Sequence, residues 1–418
     1  MTFARTSRSR LISTVALLVA AAGFAGCSED TSGPGDSEEI LIGGLFSLTG
    51  NWATLGATSK AALELAVEDI NASLAAGNTG MHFQAAIEDT KLDPSIALTA
   101  AKALKAKGVE IAIGPQSSAE AGALKSYADA NGLILVSQSS TAGSLAIAND
   151  NLLRLTPGDS LESIALTAIM KADGITSIVP FWRADAGNQG LAIATRARMT
   201  AAGATVSAGL EYSTTETSFT TQLATIKSQV QASIAAVGTA KTAVALAAFD
   251  EAVNIFKAAA SDPVLGSVKW YGTDGVALST ALENDVAAAA FAVKVGFASP
   301  IFGLDDTNSA KWASVAARIK AKAGIDPDAF ALAVYDGAWL AAEAYLFTGG
   351  KGNPTQLRSQ FTTAANSFFG ATGATSLNAA GDRNNGNFDY FALSLVGSAY
   401  DWKRVGQFNT QTAVLRRQ

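Results

Sequence analysis

Val109-Glu110-Ile111-Ala112-Ile113-Gly114-Pro115-Gln116-Ser117-Ser118 is the stretch that decides the fold. A short β-branched run stops at glycine and proline, then leads into an alanine-rich segment at 118–130 and a second apolar run at 133–136. Short apolar runs bounded by turn residues read as buried strands, and the longer segment between them as a helix. A strand, a crossover helix and a strand are the unit of a parallel sheet wrapped on both faces.

The same texture extends in both directions. Upstream, 40–46 reads as a strand and 58–75 as a helix, with Leu63, Ala66, Val67 and Ile70 at helical spacing. A strand at 82–87 follows, then a helix opened by Asp93-Pro94, a cap and first-turn pair. After Asp150 the alternation restarts, with strands expected at 178–181, 206–210, 243–247, 268–272 and 292–296. Helices are expected at 308–323 and 330–347, and an aromatic strand at 388–395 in a glycine- and asparagine-rich tail. Two such series predict an α/β protein of two doubly wound parallel-sheet lobes.

The chain has 418 residues, more than one core normally serves, and only 16% are charged. Net charge is −6 and no long basic run occurs, which argues against nucleic acid as a partner. Cys27 is the only cysteine, so no disulfide staples the fold. The one histidine, His82, lies in an alternating strand. No nucleophile elbow, glycine-rich phosphate loop or metal-ligand cluster is present. The expectation is a protein that is not an enzyme, with no cofactor and no metal.

At the N-terminus, Arg5, Arg8 and Arg10 precede an apolar stretch at 11–26 that ends in small residues before Cys27. That is the pattern of a secretory signal. Phe24-Ala25-Gly26-Cys27 resembles the lipobox of bacterial lipoproteins, with phenylalanine where leucine is usual. The resemblance implies a signal peptide at 1–26, lipidation of Cys27 and an extracytoplasmic, membrane-anchored protein. The polar segment 27–39 reads as a flexible tether.

Ligands of open parallel sheets collect where strands end. Gly114 to Ser118 ends one strand at a helix start, where N–H groups and the helix dipole suit a carboxylate. Ser117 or Ser118 adds a hydroxyl there, or simply caps the helix. Ser137-Gln138-Ser139-Ser140-Thr141 ends the next strand with a second hydroxyl set, which otherwise is a loop facing water. Asp274 ends the strand at 268–272. It is placed either to pair with an ammonium group or to cap a following helix.

These residues carry a family resemblance. Ile42-Gly43-Gly44-Leu45-Phe46-Ser47-Leu48-Thr49-Gly50, Ala66-Val67-Glu68-Asp69-Ile70-Asn71, Gly114-Pro115 with Ser117-Ser118, Ser137 with Ser140-Thr141, Trp270-Tyr271-Gly272-Thr273-Asp274-Gly275 and Tyr335-Asp336 occur in order. From Ile40 onward the chain resembles the periplasmic-type solute-binding proteins of ABC transporters, in the leucine/isoleucine/valine-binding branch. The resemblance implies a type I periplasmic binding fold with a three-strand hinge. Lobe 1 would be 40–156 and 300–389, and lobe 2 157–299 and 390–418.

It also implies roles. Ser118, Ser139 (through its backbone) and Thr141 would hold a ligand carboxylate, with Ser117 beside them. Asp274 would hold the ammonium. Trp52, Leu55, Phe249 and Tyr335 would line the ligand's side chain. The implied ligand is an amino acid or similar small polar solute, and the implied partner of this monomer is an ABC permease. A ligand-sensing receptor with the same fold is the alternative. One position departs from the family: Gly187 stands where many members carry an aromatic that contacts ligand on closure. Either the pocket is wider there, or a nearby aromatic such as Trp182 replaces it.

Overall fold

The computed structural model describes residues 38–77, 80–350 and 352–418. The expected signal peptide, Cys27 and the tether through residue 37 lie outside the described residues. The first βα series runs β1 (Glu38–Phe46), α1 (Ala53–Gly77), β2 (Met81–Asp89), α2 (Pro94–Ala106), β3 (Ile111–Ile113), α3 (Ser118–Asn131), β4 (Ile134–Ser137) and β5 (Leu152–Arg154). Its strands form a parallel sheet in the order β2-β1-β3-β4-β5. The order reverses between β1 and β3, so the loops after those two strands flank a crevice.

The second series runs α4 (Asp159–Ala172), β6 (Ser177–Arg183), α5 (Ala186–Ala201), β7 (Thr205–Val206), β8 (Leu210–Tyr212), α6 (Thr220–Val237), β9 (Thr242–Ala247), α7 (Ala252–Ala259), β10 (Lys269–Tyr271), α8 (Thr280–Asn284), α9 (Val286–Lys294) and β11 (Ala298–Gly303). The chain then returns to the first sheet with α10 (Ser309–Ala323), α11 (Ala329–Thr348) and α12 (Pro354–Ser367). After a small hairpin of β12 (Phe369–Gly370) and β13 (Gly373–Ala374), it ends in β14 (Asn387–Val396), β15 (Ala399–Asn409) and β16 (Val414–Arg417). The second sheet is ordered β16-β15-β14-β11-β10-β9-β6-β7, with β8 also on β6. β14 to β16 are antiparallel to their neighbours. Here the order reverses between β6 and β9, which gives a second crevice.

The central strands of both sheets are buried on both faces, which is why they read as unbroken apolar runs. In β3, Ile111 and Ile113 pack with α1 and α11, while Ala112 packs with α2 and α3. In the second sheet, Val244 and Leu246 face one core and Ala243 the other. A separate apolar cluster that includes Trp52, Leu55, Phe249, Phe302 and Phe330 joins residues of the two lobes.

Three chain crossings connect the lobes, and two buried arginines bind them together. Arg154, at the end of β5, makes a two-pronged pair with Asp382: Nε to Oδ1 at 2.5 Å and Nη2 to Oδ2 at 2.7 Å. The neighbouring Arg383 donates to the Leu155 carbonyl at 3.1 Å and to Thr372, and lies 4.8 Å from the Phe302 ring centroid. Arg154 with Asp382 thus ties the first and third crossings, and Arg383 adds the second through Phe302.

Three expectations change. The segment 292–296 is not a strand: Asp285 caps α9 through the Ala288 N–H, the alanine-rich run stays helical, and Gly296 turns the chain at φ +59 into β11. The strand expected at 206–210 divides into β7 and β8, because Gly209 takes φ +70 with its Cα against the Pro180 carbonyl. The lobe break expected at 300 falls inside β11, which stays in the second sheet through Gly303.

Asp382→Ala strands a buried guanidinium and should cost about 3–5 kcal/mol of unfolding free energy. Urea titration measures it, and the Arg154→Met/Asp382→Leu double variant should recover much of the loss.

Candidate ligand-binding site

The two crevices face each other. Loops after β1, β3 and β4 meet loops after β6, β9 and β10 around a narrow cavity. From the first lobe it is lined by Trp52, Ser117, Ser118, Ser139 and Thr141. From the second it is lined by Gly187, Asn188, Leu191, Phe249 and Asp274. Seven of the nine expected site residues therefore share one cavity.

Their side chains are not equally available. Ser117 is the N-cap of α3: its hydroxyl accepts the Glu120 N–H, and Glu120 accepts the Ser117 N–H in return. The capping reading holds for Ser117. Ser118 differs. Its oxygen accepts the Thr141 and Ala142 N–H groups, both at 3.1 Å, and the Ser140 hydroxyl at 3.0 Å. With its acceptor capacity filled, its own proton is left to donate into the cavity. The Ser139 hydroxyl is committed to the Gln116 carbonyl at 2.9 Å. Gln116 in turn holds the first loop, accepting the Ser47 N–H at 2.7 Å and donating to the Trp52 carbonyl.

Two expected residues lie elsewhere. Leu55 is one turn into α1 and is buried in the apolar cluster behind Trp52. Tyr335 turns to the outer side of α11, where its hydroxyl donates to Asp69 at 2.8 Å. Phe330, earlier on α11, takes the place beside Trp52, with ring centroids 6.1 Å apart. Trp182 does not replace the missing aromatic either. Its indole donates to Glu211 on the surface, beneath Arg196. A Cβ at Gly187 would stand 3.4 Å from the Ser118 oxygen, so the glycine keeps that hydroxyl uncovered.

Asp274 is not a helix cap. The next helix, α8, is capped by Ser279. Asp274 instead meets two acids that sequence reasoning missed. Its N–H donates to Glu162 at 3.0 Å, and Asp159 lies close by at the start of α4. Asp159 is 3% exposed, and neither of its oxygens accepts a hydrogen bond of good geometry. Burial pushes Asp159 up to about 6, against the pull of the Thr141 hydroxyl and Arg154. Burial, then the charges of Asp274 and Asp159, push Glu162 well above the ordinary glutamate value. Burial, then the Asp159 charge, push Asp274 up to about 7. Acids three apart in Asp159-Ser160-Leu161-Glu162, just after a strand, were the sequence signal for this group.

The cavity thus offers a hydroxyl donor on one wall and Asp274 on the other, with buried Asp159 and Glu162 beside Asp274. The carboxylates destabilise the empty protein in a predictable direction. Their folded values lie above their unfolded ones, so the folded state holds protons that the unfolded chain has released. That contribution is complete below about pH 4 and is lost as pH rises through about 6 to 7. Asp274→Asn should therefore raise the melting temperature of the ligand-free protein at pH 8 and flatten its decline between pH 5 and 8. A scanning-calorimetry series across pH measures both.

The sequence profile described as "Receptor family ligand binding region" matches residues 58–395. An uncharacterised protein of Methanocaldococcus jannaschii is 27% identical, across 95% of this chain and 97% of that one. The fold is also that of solved structures. A leucine-binding protein, LivK, of Thermotoga maritima superposes with a TM-score of 0.71 at 17% identity, over 89% of this chain and 99% of that one. LivJ of Streptococcus pneumoniae, in complex with isoleucine, gives 0.65 at 21% identity over 88% and 100%. An R. palustris solute-binding protein in complex with benzoate gives 0.70 at 19% identity over 91% and 98%. The architecture is the type I periplasmic binding fold, and the chain belongs to the receptor family ligand binding region.

Proposed function

We propose that this chain is an extracytoplasmic substrate-binding protein of an ABC importer. It captures an amino acid or a similar small zwitterion between its lobes and delivers it to a permease. Cys27 is its lipid anchor. The observation that carries the reading is the placement of the Ser118 hydroxyl and buried Asp274 on opposite walls of one cavity, with buried Asp159 close to Asp274. A carboxylate suits the donor wall at the N-terminus of α3, and an ammonium neutralises the acid wall. A bare carboxylate such as benzoate would meet like charge there without compensation, which disfavours that ligand class. Trp52 and Phe249, with ring centroids 4.8 Å apart, would cover the ligand's side chain. Among the described residues no helix is long and apolar enough to cross a membrane.

The ammonium carries a pH signature. It favours the ionised acids, so binding lowers their values and releases protons wherever the free protein is still protonated. Affinity for amino acids should rise from pH 5 to pH 8 and level off above about pH 7, the free value of Asp274. Calorimetry in buffers of different ionisation enthalpy should count the released protons.

A thermal-shift screen of amino acids, amines and aromatic carboxylates, followed by calorimetry, tests the assignment. Asp274→Ala should abolish amino-acid binding. Thr141→Ala should weaken it by about 1–3 kcal/mol, the worth of one hydrogen bond to a charged group. Amino-acid affinity that Asp274→Ala leaves unchanged would overturn the reading.

A further inference from the structure

α1 opens without an acidic residue of its own in its first turn. The carboxylate that serves its start comes from the opposite lobe. Asp250, just after β9, accepts the Trp52 N–H at 2.7 Å through Oδ2. Its Oδ1 is held by the Ser279 hydroxyl at 2.5 Å. Trp52 itself sits at φ +61, in the left-handed region that non-glycine residues rarely adopt. Its ring packs on Phe249 from the second lobe and on Phe330 from the first.

More bonds cross at the same rim. Asn51 Nδ2 donates to Glu251 at 3.0 Å. The Thr54 and Thr280 hydroxyls meet at 2.8 Å, and the Thr280 N–H also donates to the Thr54 hydroxyl at 3.2 Å. Asn51 to Thr54 follow β1 of the first sheet. Asp250, Glu251, Ser279 and Thr280 follow β9 and β10 of the second. The Asn51–Glu251, Trp52–Asp250 and Thr54–Thr280 bonds all require the lobes to be together.

We propose that Asp250 is a positioning residue for ligand capture. It caps α1 from across the cleft and holds Trp52 in its left-handed conformation over the cavity. With the Thr54–Thr280 pair it latches the lobes together. A carboxylate at a helix N-terminus is favoured both by the hydrogen bond and by the helix dipole. When the lobes part, Trp52 loses the partner that sustains its backbone conformation, and the Trp52–Phe249 contact is exposed to water. Only the open fraction can admit a ligand, so the latch sets how much of the protein is competent to bind. The inference concerns closure of the cleft and does not depend on what the cleft binds.

The test uses the ligand-free protein. Asp250→Ala and Thr54→Val are compared with wild type by small-angle scattering and by amide hydrogen exchange. Thr54→Val leaves the Trp52–Asp250 bond untouched, so faster exchange at the Trp52 amide in that variant reports opening of the lobes. The expected result is a larger radius of gyration in both variants. Exchange at Trp52 in Thr54→Val should be roughly 5- to 100-fold faster, the opening gained when the two hydrogen bonds to the Thr54 hydroxyl are lost. Wild-type scattering and exchange in Thr54→Val, or an Asp250→Ala protein as compact as wild type, overturns the proposal. If Asp250→Ala does not fold, Thr54→Val decides alone. Because no ligand is added, these outcomes are independent of the amino-acid screen.

Discussion

The paired guanidinium and carboxylate of Arg154 and Asp382 underlie the whole arrangement. A parallel sheet presents all its strand ends on one edge, so a two-sheet site exists only if those edges face each other. Three crossings must therefore be held in one geometry. Arg154 is 2% exposed and Asp382 7%, a depth at which an ion pair persists only with good geometry and satisfied neighbours. The pair has both: its two prongs are short, and the remaining Arg154 nitrogen donates to the Ala142 carbonyl at 2.7 Å. That last bond reaches the loop after β4, beside the ligand wall. The hinge and the binding loops are one hydrogen-bonded body.

Onto that frame the cleft adds a deliberate imbalance. Burying several carboxylates without a cation opposes folding, whereas a carboxylate nearer the surface can be paired. Asp173, for example, meets Lys269 and Arg417 and is lowered rather than raised. In the cleft, Asp159, Glu162 and Asp274 lack such partners and their affinity for protons is raised. A cationic group placed beside these acids would recover the electrostatic energy that their burial costs. The same logic explains why hydroxyl donors are saturated from behind. Three donors on Ser118 leave its proton one direction in which to point.

Much of the site was legible because parallel strands end predictably. Hydroxyls following β3 and β4, and an acid following β10, had to emerge at one rim, and they do. Ser117 and Ser118 were indistinguishable in sequence, since either can cap a helix. The register of α3 settles it: one residue earlier faces the N-cap, one later faces the cavity. Leu55 and Tyr335 failed for the same reason. A position on a helix says which residues share a face, but not which face turns to the cleft. Asp159 and Glu162 were passed over because acids in a first helical turn ordinarily answer the helix dipole, and only their burial beside Asp274 reveals another task.

Sequence alone determined the alternation of strand and helix, the parallel sheets and the strand-end loops, because apolar run length and turn residues are local signals that backbone physics reads directly. It also marked Ser118, Thr141 and Asp274, which lie within residues of a strand end. Tertiary structure alone decided what joins segments far apart in the chain. Arg154 with Asp382, Asp274 with Glu162, and Trp52 with Asp250 are separated by scores to hundreds of residues. No periodicity links such residues. Only the assembled sheets, and for Trp52 with Asp250 the meeting of the two lobes, bring them within hydrogen-bond reach.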